Sequence, residues 1–157
     1  MLSSSQRKQW LSWLCSGDEP HGEWRDQPVV LDSNVWLSGL LFGGQAEWAL
    51  RLARAHARLI STDAITHEVI WHIKRLAPKT PRKFLVALEH GLNELALPVN
   101  DDRAVVVRDV KDEPIVRLAL QYGAIIVTGD QDILTCPDAT AVTIAEFVEL
   151  FASEKGA

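Results

Sequence analysis

A chain of 157 residues with 47% hydrophobic and 24% charged residues suits one domain with a full core and excludes a fibrous or disordered chain. Its net charge of −5 argues against holding a polyanion by overall charge, but leaves room for a local basic groove or an acidic site that reaches phosphate through a metal. Cys15 and Cys136 are far apart with no metal or redox spacing, no apolar run approaches the ~20 residues of a membrane span, and Trp10–Leu14 is too short for a signal peptide, so a cytoplasmic protein without membrane contact is expected.

The first predicted element is a short helix from Ser3 to Cys15, broken by Gly17–Gly22. With the loop after it, it forms an N-terminal helical extension over residues 1–27, ahead of a main domain over 28–157. The tryptophans of this arm need a surface to cover, either on its own domain or on a partner protein. Val29-Val30-Leu31 then reads as a buried parallel strand ending on Asp32, with the next helix capped by Ser33 or Asn34. That helix runs from Val35 to Phe42 and ends at Gly43-Gly44. A longer helix follows from Gln45 to Arg58. Its Arg51, Arg54 and Arg58 recur at spacings of three and four, which suits a solvated face or a track for a phosphate backbone.

Leu59–Thr62 reads as the second strand, and Asp63 as the cap of a helix over Ala64–Ala77. On that helix Ile65, Val69, Ile73 and Leu76 share a core face, and Glu68 falls at its edge, as a surface residue or as part of a site. Pro81–Ala96 is a further helix and Val105–Val107 a third strand. Asp112 and Pro114 suit the start of a helix that runs to Tyr122. Ala124–Val127 is a fourth strand leading to Thr128-Gly129-Asp130, Thr140–Ile144 a fifth, and Ala145–Ser153 a last amphipathic helix. Strands alternating with helices predict a three-layer α/β domain.

Asp32, Asp112 and Asp130 stand at strand ends or helix starts, Glu68 at a helix edge, and Asp132 just beyond. If the first and fourth strands are neighbours, Asp32 and Asp130 meet at the carboxyl ends of the strands, where open α/β sheets bind ligands. Crowded carboxylates repel and need a proton or a counter-charge. A hard divalent cation such as Mg²⁺ prefers oxygen ligands, and a site of this kind hydrolyses phosphodiesters without histidine or cysteine. Each aspartate also has a plain structural reading as a helix cap.

The stretch Val30-Leu31-Asp32-Ser33-Asn34-Val35-Trp36 resembles the opening motif of PIN domains. Asp109 to Ala119 and the later Thr128-Gly129-Asp130-Gln131-Asp132-Ile133-Leu134 are similar to the second half of that family, Glu68 to its middle-helix acid, and Ile144-Ala145-Glu146-Phe147 to its closing junction. The resemblance runs from about Pro28 to Leu150 and is nearest to the branch of toxin components of prokaryotic toxin–antitoxin pairs. It implies a mainly parallel five-stranded sheet of order 3-2-1-4-5 and a metal-dependent ribonuclease acting on single-stranded RNA. Asp32, Glu68, Asp112 and Asp130 would be the acidic site, with Mg²⁺ or Mn²⁺ held by Asp32, Asp112, Asp130 and, through water, Asp132. Ser33, Asn34 and Thr128 would orient ligands, and Arg51, Arg54 and Arg58 are candidates for RNA contact. Asp109 competes with Asp112 for the third acidic position; the helix-start position and the apolar pattern after it favour Asp112. A cognate antitoxin and a homodimer are the implied protein partners. The main alternative is a PIN-fold RNA-binding or protein-interaction module with little catalysis. A haloacid-dehalogenase phosphatase would need an Asp where Asn34 stands, and a receiver domain a phosphoacceptor after the third strand.

Overall fold

The computed structural model describes residues 2–155; Met1, Gly156 and Ala157, at the outer limits of the two expected segments, lie outside the described residues. Eight helices and four strands alternate along the described chain: α1 (Ser4–Leu14), β1 (Pro28–Leu31), α2 (Ser33–Phe42), α3 (Gly44–His56), β2 (Arg58–Ile60), α4 (Asp63–Leu76), α5 (Arg82–Leu95), α6 (Glu113–Tyr122), β3 (Ile125–Val127), α7 (Gln131–Leu134), β4 (Ala141–Val142) and α8 (Ile144–Lys155). The strands pair in parallel in the order β2-β1-β3-β4. Val29 pairs with Leu59 on one side and with Ile125 on the other, so β1 lies between two neighbours. Val29, Val30 and Leu31 are fully buried, as expected of a strand covered on both faces. This is an α/β fold with a parallel sheet flanked by helices. Among the described residues no helix is long and apolar enough to cross a membrane.

One of the five expected strands, the third, is not in the sheet. Val105–Val107 lies outside any ladder, with Val106 70% exposed. Its backbone finds other partners: the Val106 N–H donates to Asp138 Oδ2 at 2.8 Å, and its carbonyl accepts from Cys136 Sγ at 2.9 Å. The outer flank of β2 is met instead by the end of α5. Ser61 N–H donates to the Leu95 carbonyl at 2.9 Å and Leu97 N–H to the Ser61 carbonyl at 3.0 Å, an isolated parallel bridge of Ser61 with Ala96. β-branched residues supply strand propensity, but a ladder also needs a free edge within reach. The short helix α7 was not anticipated. Thr62, not Asp63, caps α4, its hydroxyl accepting from Ile65 N–H at 3.1 Å.

The arm packs on its own domain. α1 opens with a capping box, in which Ser3 Oγ accepts from Gln6 N–H and the Gln6 side chain accepts from Ser3 N–H. Trp10 and Leu14 are buried in the common core, and Trp13 lies 6.2 Å from Trp36. α5 receives Leu14 at Gly91, where a Cβ would stand 2.5 Å from Leu14 Cδ2. The α3 arginines hold the arm down. Arg54 Nε donates to the Trp13 carbonyl at 2.8 Å and Nη2 to the Ser16 carbonyl at 2.5 Å, with the guanidinium also over the Trp13 ring. Arg51 lies 4.9 Å from the Trp10 ring centre and pairs with Glu47 at 3.4 Å.

Candidate functional site

Parallel strands put their carboxyl ends on one edge of the sheet, and β1 and β3 are neighbours, with Leu31 in register with Val127. The residues after them, Asp32 and Thr128, therefore meet. Thr128 Oγ1 donates to Asp32 Oδ2, 96 residues earlier in the chain, at 2.8 Å and accepts from Asp130 N–H at 3.0 Å, linking the two aspartates. Thr128 and Ser33 are buried, so both hydroxyls are held in place by packing. Ser33 Oγ donates to Glu68 Oε2 at 2.6 Å, which ties α4 to the start of α2.

Asp32 stands at the N-cap of α2 and Asp112 at the N-cap of α6, yet neither side chain makes a capping hydrogen bond. The plain reading of both as helix caps therefore fails. Asp130 does cap: its Oδ1 accepts from Asp132 N–H at 2.8 Å at the start of α7. Asp112, Asp130 and Asp132 each offer a carboxylate oxygen within 4.8 Å of the others, and all three are partly buried. Asp109, the competitor for the third position, is exposed, and its Oδ1 accepts from Lys111 N–H at 3.0 Å. It caps the 3-10 turn Val110–Asp112, which turns Asp112 inward.

The electrostatics follow from this crowding. Burial raises the Asp112 carboxyl to about 7, reinforced by the charges of Asp130, Asp109, Asp32 and Asp132. Burial also pushes Asp32 up, with Glu68 and Asp130 adding to the shift and hydrogen bonds from Thr128 and the Ser33 backbone opposing it. Among the described residues three buried side-chain polar atoms have no partner: Trp36 Nε1, Ser61 Oγ and Asp112 Oδ2. Only the last can carry a charge. The N-termini of α2, α6 and α7 converge here and lend partial positive charge, but they do not neutralise five neighbouring carboxylates. The ion pair from exposed Arg108 to Asp132, at 3.8 Å, is long and solvated. Sequence reasoning did not single out Arg108, whose only signal was a lone cation next to Asp109.

An all-oxygen donor set with an orphaned carboxylate oxygen fits a hard divalent cation. The structure thus brings Asp32, Glu68, Asp112, Asp130 and Asp132 together with Ser33 and Thr128, whereas Asn34 is exposed on the first turn of α2. The arginine stripe does not join them. Arg54 and Arg51 are engaged with the arm, and Arg58 pairs in register with Pro28, at the amino ends of the strands and so away from the acidic edge.

No curated protein and no solved structure matches the chain significantly. The PIN domain family model matches residues 28–132, two-thirds of the chain, and the chain belongs to that family. PIN domains are generally nucleases and usually use divalent metals.

Proposed function

Starting from membership of the PIN family, we propose that this protein is a metal-dependent endoribonuclease that hydrolyses phosphodiester bonds of single-stranded RNA. The observation that carries this reading is Asp112 Oδ2, buried without a partner among carboxylates whose only ion pair among the described residues is the long, solvated one from Arg108 to Asp132. Asp112 and Asp130 would hold Mg²⁺ or Mn²⁺ together with Asp32, and Asp132 would add a ligand through water. Glu68 is kept at the rim by Ser33, and Thr128 keeps the Asp32 carboxylate aimed. When bound, the cation activates a water and neutralises charge that builds on the scissile phosphate. The carboxylates would fix its position, and Asp112, its carboxyl raised to about 7 by burial, would give up its proton on binding it.

In this reading the protein is cytoplasmic and is the toxin of a toxin–antitoxin pair, with a cognate antitoxin and a homodimer as its protein partners. The resemblance of the ordered motifs to the toxin branch of the family supports that assignment. The acidic set argues against a binding module with little catalysis, which has no need of such an acidic cluster.

The test is cleavage of a labelled single-stranded RNA. Hydrolysis is expected in Mn²⁺ or Mg²⁺ and none in EDTA, and divalent metal should raise the melting temperature by mass action. Undiminished cleavage in excess chelator would overturn the metal-dependent reading.

A further inference from the structure

From Glu68, α4 leads out of the acidic site into the most basic stretch of the chain. No Asp or Glu occurs from residue 69 to 88, whereas five of the sixteen Lys and Arg residues fall there: Lys74, Arg75, Lys79, Arg82 and Lys83. All five are exposed, and among the described residues none is in an ion pair. In a chain of net charge −5 this concentration sets the stretch apart from the rest. Arg82 and Lys83 also occupy the first turn of α5, which has no acidic residue. Cations at a helix N-terminus oppose the helix dipole, so local stability does not account for them; an anion bound there would satisfy both.

The same stretch carries an indole that the core does not use. Trp71 is 54% exposed, Arg75 lies over its ring at 5.2 Å, and His72 meets it edge-on at 4.8 Å. Trp71, His72 and Arg75 stand three, four and seven residues after Glu68, on the side of α4 that carries the carboxylate held by Ser33. At a rise of ~1.5 Å per residue they lie within about 10 Å of it along the helix axis. Trp71 and Lys74 also wall a depression of about 470 Å³ between α4 and α5, whose other side includes Glu89 and Asn93.

We propose that this face of α4, continued by the α4–α5 connection, is the channel along which single-stranded RNA reaches the acidic site. Trp71 is the platform for an unpaired base, and Lys74, Arg75, Lys79, Arg82 and Lys83 track the phosphates. The assignment rests on the nuclease reading above. An acidic protein would use the cations but has no need of an exposed indole framed by them; a single strand uses both, because every base has a face to stack.

The test is the fluorescence anisotropy of a labelled single-stranded RNA of about twenty nucleotides, in EDTA so that binding is read apart from cleavage. Trp71→Ala is expected to raise Kd about fivefold or more. Lys79→Glu combined with Lys83→Glu is expected to raise Kd and to flatten the log–log salt dependence by about 1.4, or ~0.7 for each phosphate that is no longer neutralised. Unchanged RNA affinity in both variants, with wild-type circular dichroism, overturns the channel and leaves the nuclease standing if the wild-type protein cleaves the same RNA in Mn²⁺. Binding that depends on Trp71 and the two lysines, with no cleavage in Mn²⁺, keeps the channel and removes the nuclease. A polyglutamate of similar length is the second probe. Binding to it as tight as to RNA, and unaffected by Trp71→Ala, identifies a site for an acidic protein and overturns the proposal. No binding of RNA at low salt by the wild-type protein overturns it as well.

Discussion

The arm contact and the acidic edge of the sheet both gather charged groups at the boundary of the core, and they treat them in opposite ways. At the arm, Arg54 donates to two carbonyls and lies over Trp13, so a cation holds structure together and its bonding capacity is largely filled. At the sheet edge, five carboxylates converge, two of them leave their helix caps unmade, and Asp112 Oδ2 is buried with no partner. A charge that serves the fold is answered from within the chain. A cluster of one sign answered only by the exposed Arg108 at Asp132 is held against its own repulsion by the surrounding packing, and it awaits something from outside.

The largest effect expected from breaking this contrast is on activity. Asp112→Asn should lower single-turnover RNA cleavage at saturating Mn²⁺ by at least about a hundredfold. Asp32→Asn should do the same, and the double mutant should be no worse, because ligands of one cation act as a unit. Asp109→Asn should keep most activity, since that carboxylate serves Lys111 N–H in an exposed turn. Near-normal cleavage by Asp112→Asn beside a dead Asp109→Asn would reassign the third ligand.

On the arm side the effect is on stability. Arg54→Ala should cost about 2 kcal/mol in denaturant unfolding, because it strips charge-assisted bonds from the Trp13 and Ser16 carbonyls. It should leave metal-dependent cleavage intact. Loss of cleavage in a folded Arg54→Ala protein would return the arginine stripe to the RNA. Gly91→Ala should cost ~1 kcal/mol net: the new Cβ would press on Leu14 Cδ2 and Cγ at 2.5 and 2.8 Å, partly offset by the better helix propensity of alanine. A more stable Gly91→Ala protein would mean that the arm can shift off α5 at no cost.

The smallest effect is the pH dependence. In the metal-free protein the Asp112 carboxyl is raised from its ordinary 3.8 to about 7. Its folded-state pKa lies above the unfolded one, so its contribution to stability is full below about pH 4 and is lost as pH rises through about 7. Melting temperature in EDTA should therefore fall over that window, and Asp112→Asn should flatten the fall. Mn²⁺ affinity, read by titration calorimetry, should rise over the same window with proton release. A metal affinity independent of pH between 5 and 8 would show that Asp112 is ionised without the cation.

The local pattern of residues determined most of the elements and the places where carboxylates stand. Apolar β-branched runs ending in Asp32 and in Thr128-Gly129-Asp130 are strands with a polar end wherever they fold, and helix periodicity marked Ile65, Val69 and Ile73 on the inner face of α4, though Leu76, expected beside them, is 51% exposed. Those features depend on neighbours a few positions away. What depends on distant partners was decided by the tertiary structure. Val105–Val107 had strand composition, but β2 met the end of α5 at Ser61 and Ala96, and the valines took Cys136 and Asp138 as partners. Arg54 had the spacing of a phosphate track and became the anchor of an arm whose landing place the sequence left open. Asp109 competed with Asp112 in the sequence, which favoured Asp112 by its place at a helix start; the 3-10 turn puts Asp109 in solvent and Asp112 beside Asp130 and Asp132. Helix and strand periods are properties of adjacent residues, whereas a hydrogen-bond or charge partner is chosen among groups that only the packed core brings together.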